Sequence, residues 1–168
     1  ASSPYSVARI QSVFAARYYR YKFGMKVYIG YLFNHDSPMR AERHINQKIV
    51  KTVQRIAQGS NEVLEIGNID VQKEFGFAGD TVNAMWTLIN QDHVYEAVIG
   101  TGKANSIREW IAGCFKRTNK NWHDYVKIKQ NYVPEYQILV SDPGLINSLG
   151  WEPQTDFMQL LDLMMSDK

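Results

Sequence analysis

Tyr5 and Arg9 stand four residues apart in Ser3-Pro4-Tyr5-Ser6-Val7-Ala8-Arg9, a spacing that puts both side chains on one face of a helix. A cation beside a phenol favours its ionised form, so such a pair lets a tyrosine take a proton nearer neutral pH than a free phenol would. Taken alone, the pair is also what a solvated helix face commonly carries. Other chemistry is thinly supplied. His44, His93 and His123 lack metal-ligand spacing, and no cysteine or carboxylate cluster accompanies them, so no metal is expected. The single cysteine, Cys114, lies in the apolar stretch Trp110-Ile111-Ala112-Gly113-Cys114-Phe115 and reads as an inert core residue. Gly100-Thr101-Gly102 follows a strand-like segment but lacks the third glycine of a dinucleotide-binding turn. Trp122-His123-Asp124-Tyr125 reads as packing, not as a stacking platform.

The elements that must position these residues follow from caps and periodicity. Ser3 is a good N-cap and Pro4 suits the first turn, which predicts a helix over Pro4 to Phe23, ended by Gly24. Lys26 to Phe33 is β-branched and aromatic on both faces, the pattern of a buried parallel strand. A polar loop over Asn34 to Glu42 follows, then a helix over His44 to Gln58, with Ile45, Ile49, Val53 and Ile56 near 3.6-residue spacing and Gly59 as C-cap. Short strands are expected at Val63 to Ile66 and Tyr95 to Ile99. Helices are expected near Gly79 to Asn90, Asn105 to Arg117, Asp142 to Leu149 and Asp156 to Met165.

With 168 residues, 45% apolar and 21% charged, the chain can bury one ordinary core. No repeat, Gly/Ser linker or domain boundary divides it, so residues 1–168 are expected to form a single piece. The net charge of +2, with Lys and Arg spread along the chain, argues against a nucleic-acid partner. No apolar run is long enough to span a membrane, and no secretory leader is evident, so a cytoplasmic, reducing location is expected.

Ser3-Pro4-Tyr5-Ser6-Val7-Ala8-Arg9, followed by Leu32-Phe33-Asn34-His35-Asp36-Ser37-Pro38 and Arg40, resembles the catalytic helix and substrate loop of GDP-mannose 4,6-dehydratases, members of the extended short-chain dehydrogenase/reductase (epimerase/dehydratase) family. The resemblance continues through Gln47-Lys48-Ile49, Gly67-Asn68-Ile69-Asp70, Gly76 to Asp80, Asp142-Pro143 and Leu149-Gly150-Trp151. It implies an α/β fold: the C-terminal part of a Rossmann-like parallel sheet plus a smaller substrate-binding lobe, without the Gly-rich cofactor-binding half. It further implies an NADP-dependent (NAD being possible) lyase of nucleotide-sugar metabolism, in the full-length protein, that turns GDP-mannose into GDP-4-keto-6-deoxymannose. This piece alone is expected to be inactive, and a homo-oligomer is expected.

By the same resemblance Tyr5 is the general base, supported by Arg9. Arg9, His35 and Arg40 contact the cofactor, and Asn34, Lys48, Gly67, Asn68 and Lys73 contact the substrate. The threonine and glutamate that complete the family's catalytic set lie upstream of the tyrosine and outside this sequence. Three positions depart from the family pattern. Arg9 and Lys73 exchange lysine and arginine, which keeps the charge but changes its shape. Asn131-Tyr132-Val133-Pro134-Glu135 offers no cation where an arginine is expected. Two other readings stay open: Arg9 supports a non-catalytic sugar-nucleotide binder, and only the upstream glutamate would separate a dehydratase from an epimerase or 4-ketoreductase of the same family.

Overall fold

Ser3 begins the first helix as its side chain requires: its Oγ accepts the Ser6 N–H at 3.2 Å. Helix α1 then runs Pro4–Phe23 and closes on Gly24 in the left-handed conformation, φ 63°, which a residue without Cβ adopts at no steric cost. The computed structural model describes residues 3–129 and 132–166. After α1 come β1 (Ile29–Leu32), β2 (His35–Asp36), α2 (Ile45–Ala57), β3 (Leu64–Ile66), β4 (Gln72–Glu74), β5 (Gly76–Phe77) and α3 (Ala78–Ile89). The second half holds β6 (Glu96–Ile99), β7 (Ala104–Ser106), α4 (Ile107–Lys116), a 3-10 turn at Trp122–Asp124, β8 (Val126–Ile128), β9 (Ile138–Leu139), α5 (Gly144–Ser148) and α6 (Phe157–Met165).

Strands β1 and β6 lie parallel, in register from Ile29 beside Glu96 to Leu32 beside Ile99. A parallel pair needs a crossover, and here the whole stretch from β2 to α3 supplies it. That stretch and the segment after β6 build a lobe from parallel pairs β2–β5 and β3–β8 and a three-stranded sheet in which β4 runs antiparallel to β7 and parallel to β9. The lobe's core joins Ile49, Val53 and Ile56 of α2 to Trp110, Ile111 and Phe115 of α4 and to Leu160 and Leu161 of α6. A smaller core under the sheet joins Ala84 and Leu88 of α3 to Ala97 and Ile99 of β6, Ile146 and Trp151. Cys114 is fully buried in the first core, and burial pushes its thiol up to about 12, as an inert core cysteine requires.

The expected strand over Lys26 to Phe33 is shorter than its composition suggests, and only half-buried: inward and outward positions alternate, and Leu32 is 43% exposed. Its second face looks into a cleft beneath α1 instead of a packed layer. Helix α1 itself buries no residue and is tied to the sheet by charge. The Glu96 carboxylate accepts from Arg17 at 2.9 and 2.7 Å, from Arg20, and from the Tyr31 hydroxyl at 2.8 Å. Arg17 foremost, then Arg20 and Tyr31, hold its carboxyl at about 2 in place of the ordinary 4.5. A depressed carboxylate stabilises the fold above its unfolded value and loses that stabilisation as pH falls through its folded one. Glu96→Gln is therefore expected to cost about 1–2 kcal/mol near neutral pH. The gap between variant and parent in urea midpoint should shrink as pH falls from 4.5 to about 2; a gap that stays constant over that range would rule out the charged cluster as its origin.

Two- and three-residue strands such as Gln72-Lys73-Glu74 have no alternation to read, since their partners alone make them strands. The 3-10 turn at Trp122–Asp124 buries no residue, and Trp122 and Tyr125 pack against the lobe's core.

Candidate functional site

The C-terminal end of a parallel strand is where an open α/β sheet presents its chain ends to a ligand, and β1 delivers Phe33, Asn34 and His35 there. Tyr5 and Arg9 approach from α1, one helical turn apart, so that Tyr5, Arg9, Ser12 and Val13 on one side and Gly30 to Phe33 and His35 on the other enclose a cleft of about 740 Å³. The Arg9 guanidinium lies over the Tyr5 ring, 5.0 Å from its centroid, where the negative face of the π system attracts a cation. Tyr5 is 69% exposed, so its hydroxyl is accessible. The His35 Nδ1 is 2.8 Å from the Phe33 carbonyl. A carbonyl only accepts, so Nδ1 carries a proton and donates it to this bond.

A second cleft, of about 460 Å³, lies in the lobe. Lys48, Gly67, Asn68 and Lys73 all line it, with Lys129, Tyr132 and Tyr136. Lys48 is exposed on α2, between buried neighbours, and donates to the Glu65 carbonyl at 3.3 Å. Lys73 comes from β4 and is 7% exposed; among the described residues its ammonium has no hydrogen bond or ion pair, and it lies 5.3 Å from the Phe75 ring centroid. Burial pushes this lysine below its usual range, with Asp36 opposing the shift and Arg40 adding to it. An amine held in this way is stabilised as a cation by any anion that enters the cleft.

Asn34 and Arg40 stand apart from both clefts. Asn34 lines a void of about 10 Å³ beside Gly76, Gly100 and Thr101. Arg40 is occupied within the chain: its Nε is 3.6 Å from Asp36 and its Nη2 donates to His44 Nδ1 at 3.2 Å. Burial first, then Arg40 and Arg43, keep His44 below its ordinary value, consistent with a ring that accepts from a guanidinium. Asp36 in turn accepts from Asn46 at 2.5 Å, which locks the loop after β1 onto α2.

Sequence reading missed two residues here. Glu74, fully buried, accepts the backbone N–H groups of Thr101 at 2.6 Å, Gly102 at 3.2 Å and Ser141 at 2.5 Å. The Gly100-Thr101-Gly102 turn is thus pinned by a carboxylate, not shaped to cradle a phosphate. Tyr132 is the other: a Cβ placed on Gly67 would stand 2.8 Å from its ring, so the ring lies against bare backbone. No local pattern marks either residue, because both act on segments remote in sequence; Asn131, in the same segment as Tyr132, lies outside the described residues.

A family model described as GDP-mannose 4,6 dehydratase matches residues 1–164. GDP-mannose 4,6 dehydratase 2 of Arabidopsis thaliana is 33% identical, over 98% of this chain and 45% of its own length. The GDP-mannose 4,6 dehydratase of Dictyostelium discoideum is 32% identical, over 98% of this chain and 52% of its own length. The chain thus spans about half the length of the curated relatives it matches. Among solved structures, RMD from Pseudomonas aeruginosa complexed with NADPH superposes with a TM-score of 0.88 at 21% identity, covering 97% of this chain and 55% of that one. The dTDP-glucose 4,6-dehydratase of Bacillus anthracis in complex with NAD gives 0.83 at 16% identity, covering 97% and 51%. These two likenesses establish the fold: part of a Rossmann-like α/β sheet with its lobe.

Proposed function

Because the chain belongs to the GDP-mannose 4,6-dehydratase family, we propose that residues 1–168 supply the catalytic helix, the last sheet strands and the nucleotide-sugar lobe of an NADP-dependent sugar-nucleotide 4,6-dehydratase acting on GDP-mannose. The observation that carries this reading is the sorting of residues into two clefts. Tyr5, Arg9 and His35 share one that runs between α1 and the length of β1, and Lys48, Gly67, Asn68 and Lys73 share the other.

The first cleft fits the nicotinamide end of a dinucleotide: it has the volume of a ring and a sugar, an apolar wall from Val13 and Ile29, and the donors of Arg9 at its mouth. When bound, NADP, or NAD in its place, would accept hydride from the sugar C4 and return it at C6 once water has been eliminated across C5 and C6, with the acid/base groups for that elimination lying upstream of Tyr5. Tyr5 takes the proton of the C4 hydroxyl as that carbon is oxidised, and gives it up to solvent or a neighbouring group when the cycle closes. Arg9 holds positive charge against the ring as the oxygen becomes anionic. Lys73 and Lys48 neutralise the diphosphate in the second cleft, while Gly67, lacking a side chain, lets the Tyr132 ring pack on its backbone beside the base and Asn68 lines the cleft next to it. Arg40 serves the cofactor on release from Asp36 and His44, and Asn34 orients the substrate from the loop between the clefts. The exposed apolar residues Val7, Ile10, Phe14 and Tyr18 of α1 favour a homo-oligomer. A cytoplasmic setting suits the single thiol.

Protein carrying this chain, mixed with NADP and GDP-mannose, is expected to yield a sugar nucleotide lighter by one water, with a ketone that borohydride reduces. A mass-neutral change of hexose would instead make it an epimerase. Binding of GDP-mannose without turnover would make it the non-catalytic binder.

A further inference from the structure

We propose that Tyr132 is the stacking wall for the nucleobase in the second cleft, so that this site grips a nucleotide by an aromatic face at one end and a buried cation at the other. The inference rests on the reading of that cleft as the nucleotide-sugar site and names the residue that tells a nucleotide from a bare diphosphate.

Four observations carry it. The Tyr132 ring is braced from behind: it lies so close to the Gly67 backbone that a methyl there would stand 2.8 Å from it. Yet Tyr132 remains 57% exposed, so a braced aromatic residue is left largely uncovered at the wall of the cleft. Lys73 lines the same cleft, nine-tenths buried and with no partner among the described residues, which is the signature of a site built for an anion. The cleft's volume of about 460 Å³ accommodates a nucleoside diphosphate.

A rigid aromatic side chain loses little entropy on binding a planar ring, and stacking needs no particular donor pattern on the base. Tyr132 therefore contributes affinity for any nucleobase, and more for a purine, whose two rings overlap it further. It contributes nothing to the phosphates, which belong to Lys73. Placing an aromatic residue in the segment Tyr132 to Glu135, which carries no cation, thus trades charge for stacking.

The test measures binding of GDP and of inorganic pyrophosphate to the purified chain by calorimetry, with circular dichroism to verify folding of each variant. Tyr132→Phe keeps the ring and should bind both as the parent does. Tyr132→Leu should weaken GDP by about 5- to 100-fold and leave pyrophosphate unchanged. Lys73→Met should weaken both. The proposal is overturned if Tyr132→Leu weakens GDP and pyrophosphate alike, or weakens neither, while Lys73→Met still lowers both: the cleft is then a nucleotide site with another base contact. If Lys73→Met changes neither ligand, or the parent binds neither, the reading of the cleft itself falls, and this proposal with it.

Discussion

In the full-length protein that carries this chain, Tyr5→Phe is expected to lower formation of the 4-keto sugar nucleotide by about 100-fold or more, with GDP binding unchanged. The substitution removes one oxygen from a side chain that is 69% exposed, so the helix should not notice it. The ring stays, and with it the contact to Arg9, whose guanidinium lies 5.0 Å from the ring centroid. Only the acceptor for the C4 hydroxyl proton is lost. The diphosphate and base contacts sit in the other cleft, lined by Lys73 and Tyr132, and do not depend on that oxygen. The decisive readout is therefore a split: turnover falls while the GDP dissociation constant holds. Full turnover in Tyr5→Phe would remove Tyr5 from the reaction and with it the role assigned to the first cleft.

Trp110→Ala is expected to destabilise the chain by about 3–5 kcal/mol, measured from urea midpoints. Trp110 is fully buried. Its ring stacks on Phe75, centroids 4.8 Å apart, and meets Phe157 edge-on at 5.6 Å; its indole N–H donates to the Asn46 carbonyl at 3.3 Å. It thus joins α4 to α2, to the strand region carrying Lys73, and to α6. Truncation opens a cavity among three elements that cannot all collapse into it, and it leaves a buried carbonyl without its donor. Lys48 on α2 and Lys73 on β4 are held by this packing, so GDP affinity should fall with stability in the variant. A loss of under about 1 kcal/mol would mean that the lobe repacks around the gap, and that its rigidity does not set the second cleft.

Much of the local structure is legible in the chain itself. Ser3, Pro4 and Gly24 delimit α1 because caps act on the backbone beside them, and the core stripe Ile49, Val53, Ile56 of α2 follows from helical periodicity. The cap of α2 is off by one: Gln58 closes the helix and Gly59 follows it at φ 100°. Family membership is legible too, since Asn34-His35-Asp36-Ser37-Pro38 and Gly67-Asn68 are local strings.

What pairs across distance is not. The strands β2, β4, β5, β7, β8 and β9 have no sequence signal, because two or three residues cannot establish a period. The strand within Lys26 to Phe33 is half-buried in this chain, because an apolar strand shows that something can cover it, not what does. Arg40, placed at the cofactor by the family resemblance alone, is held in this structure by Asp36 and His44.

By itself, then, the sequence determined the helices, their caps, the α/β class and the family, all properties of residues near one another along the chain. Only the tertiary structure decided that seven of the nine candidate residues divide between two clefts while Asn34 and Arg40 stand apart, that Lys73 is buried without a partner among the described residues, that Glu74 gathers the amides of Thr101, Gly102 and Ser141, and that Tyr132 rests on Gly67. The physical reason is the same in each case: burial and pairing are set by what the crossovers bring together, and no single segment carries that information.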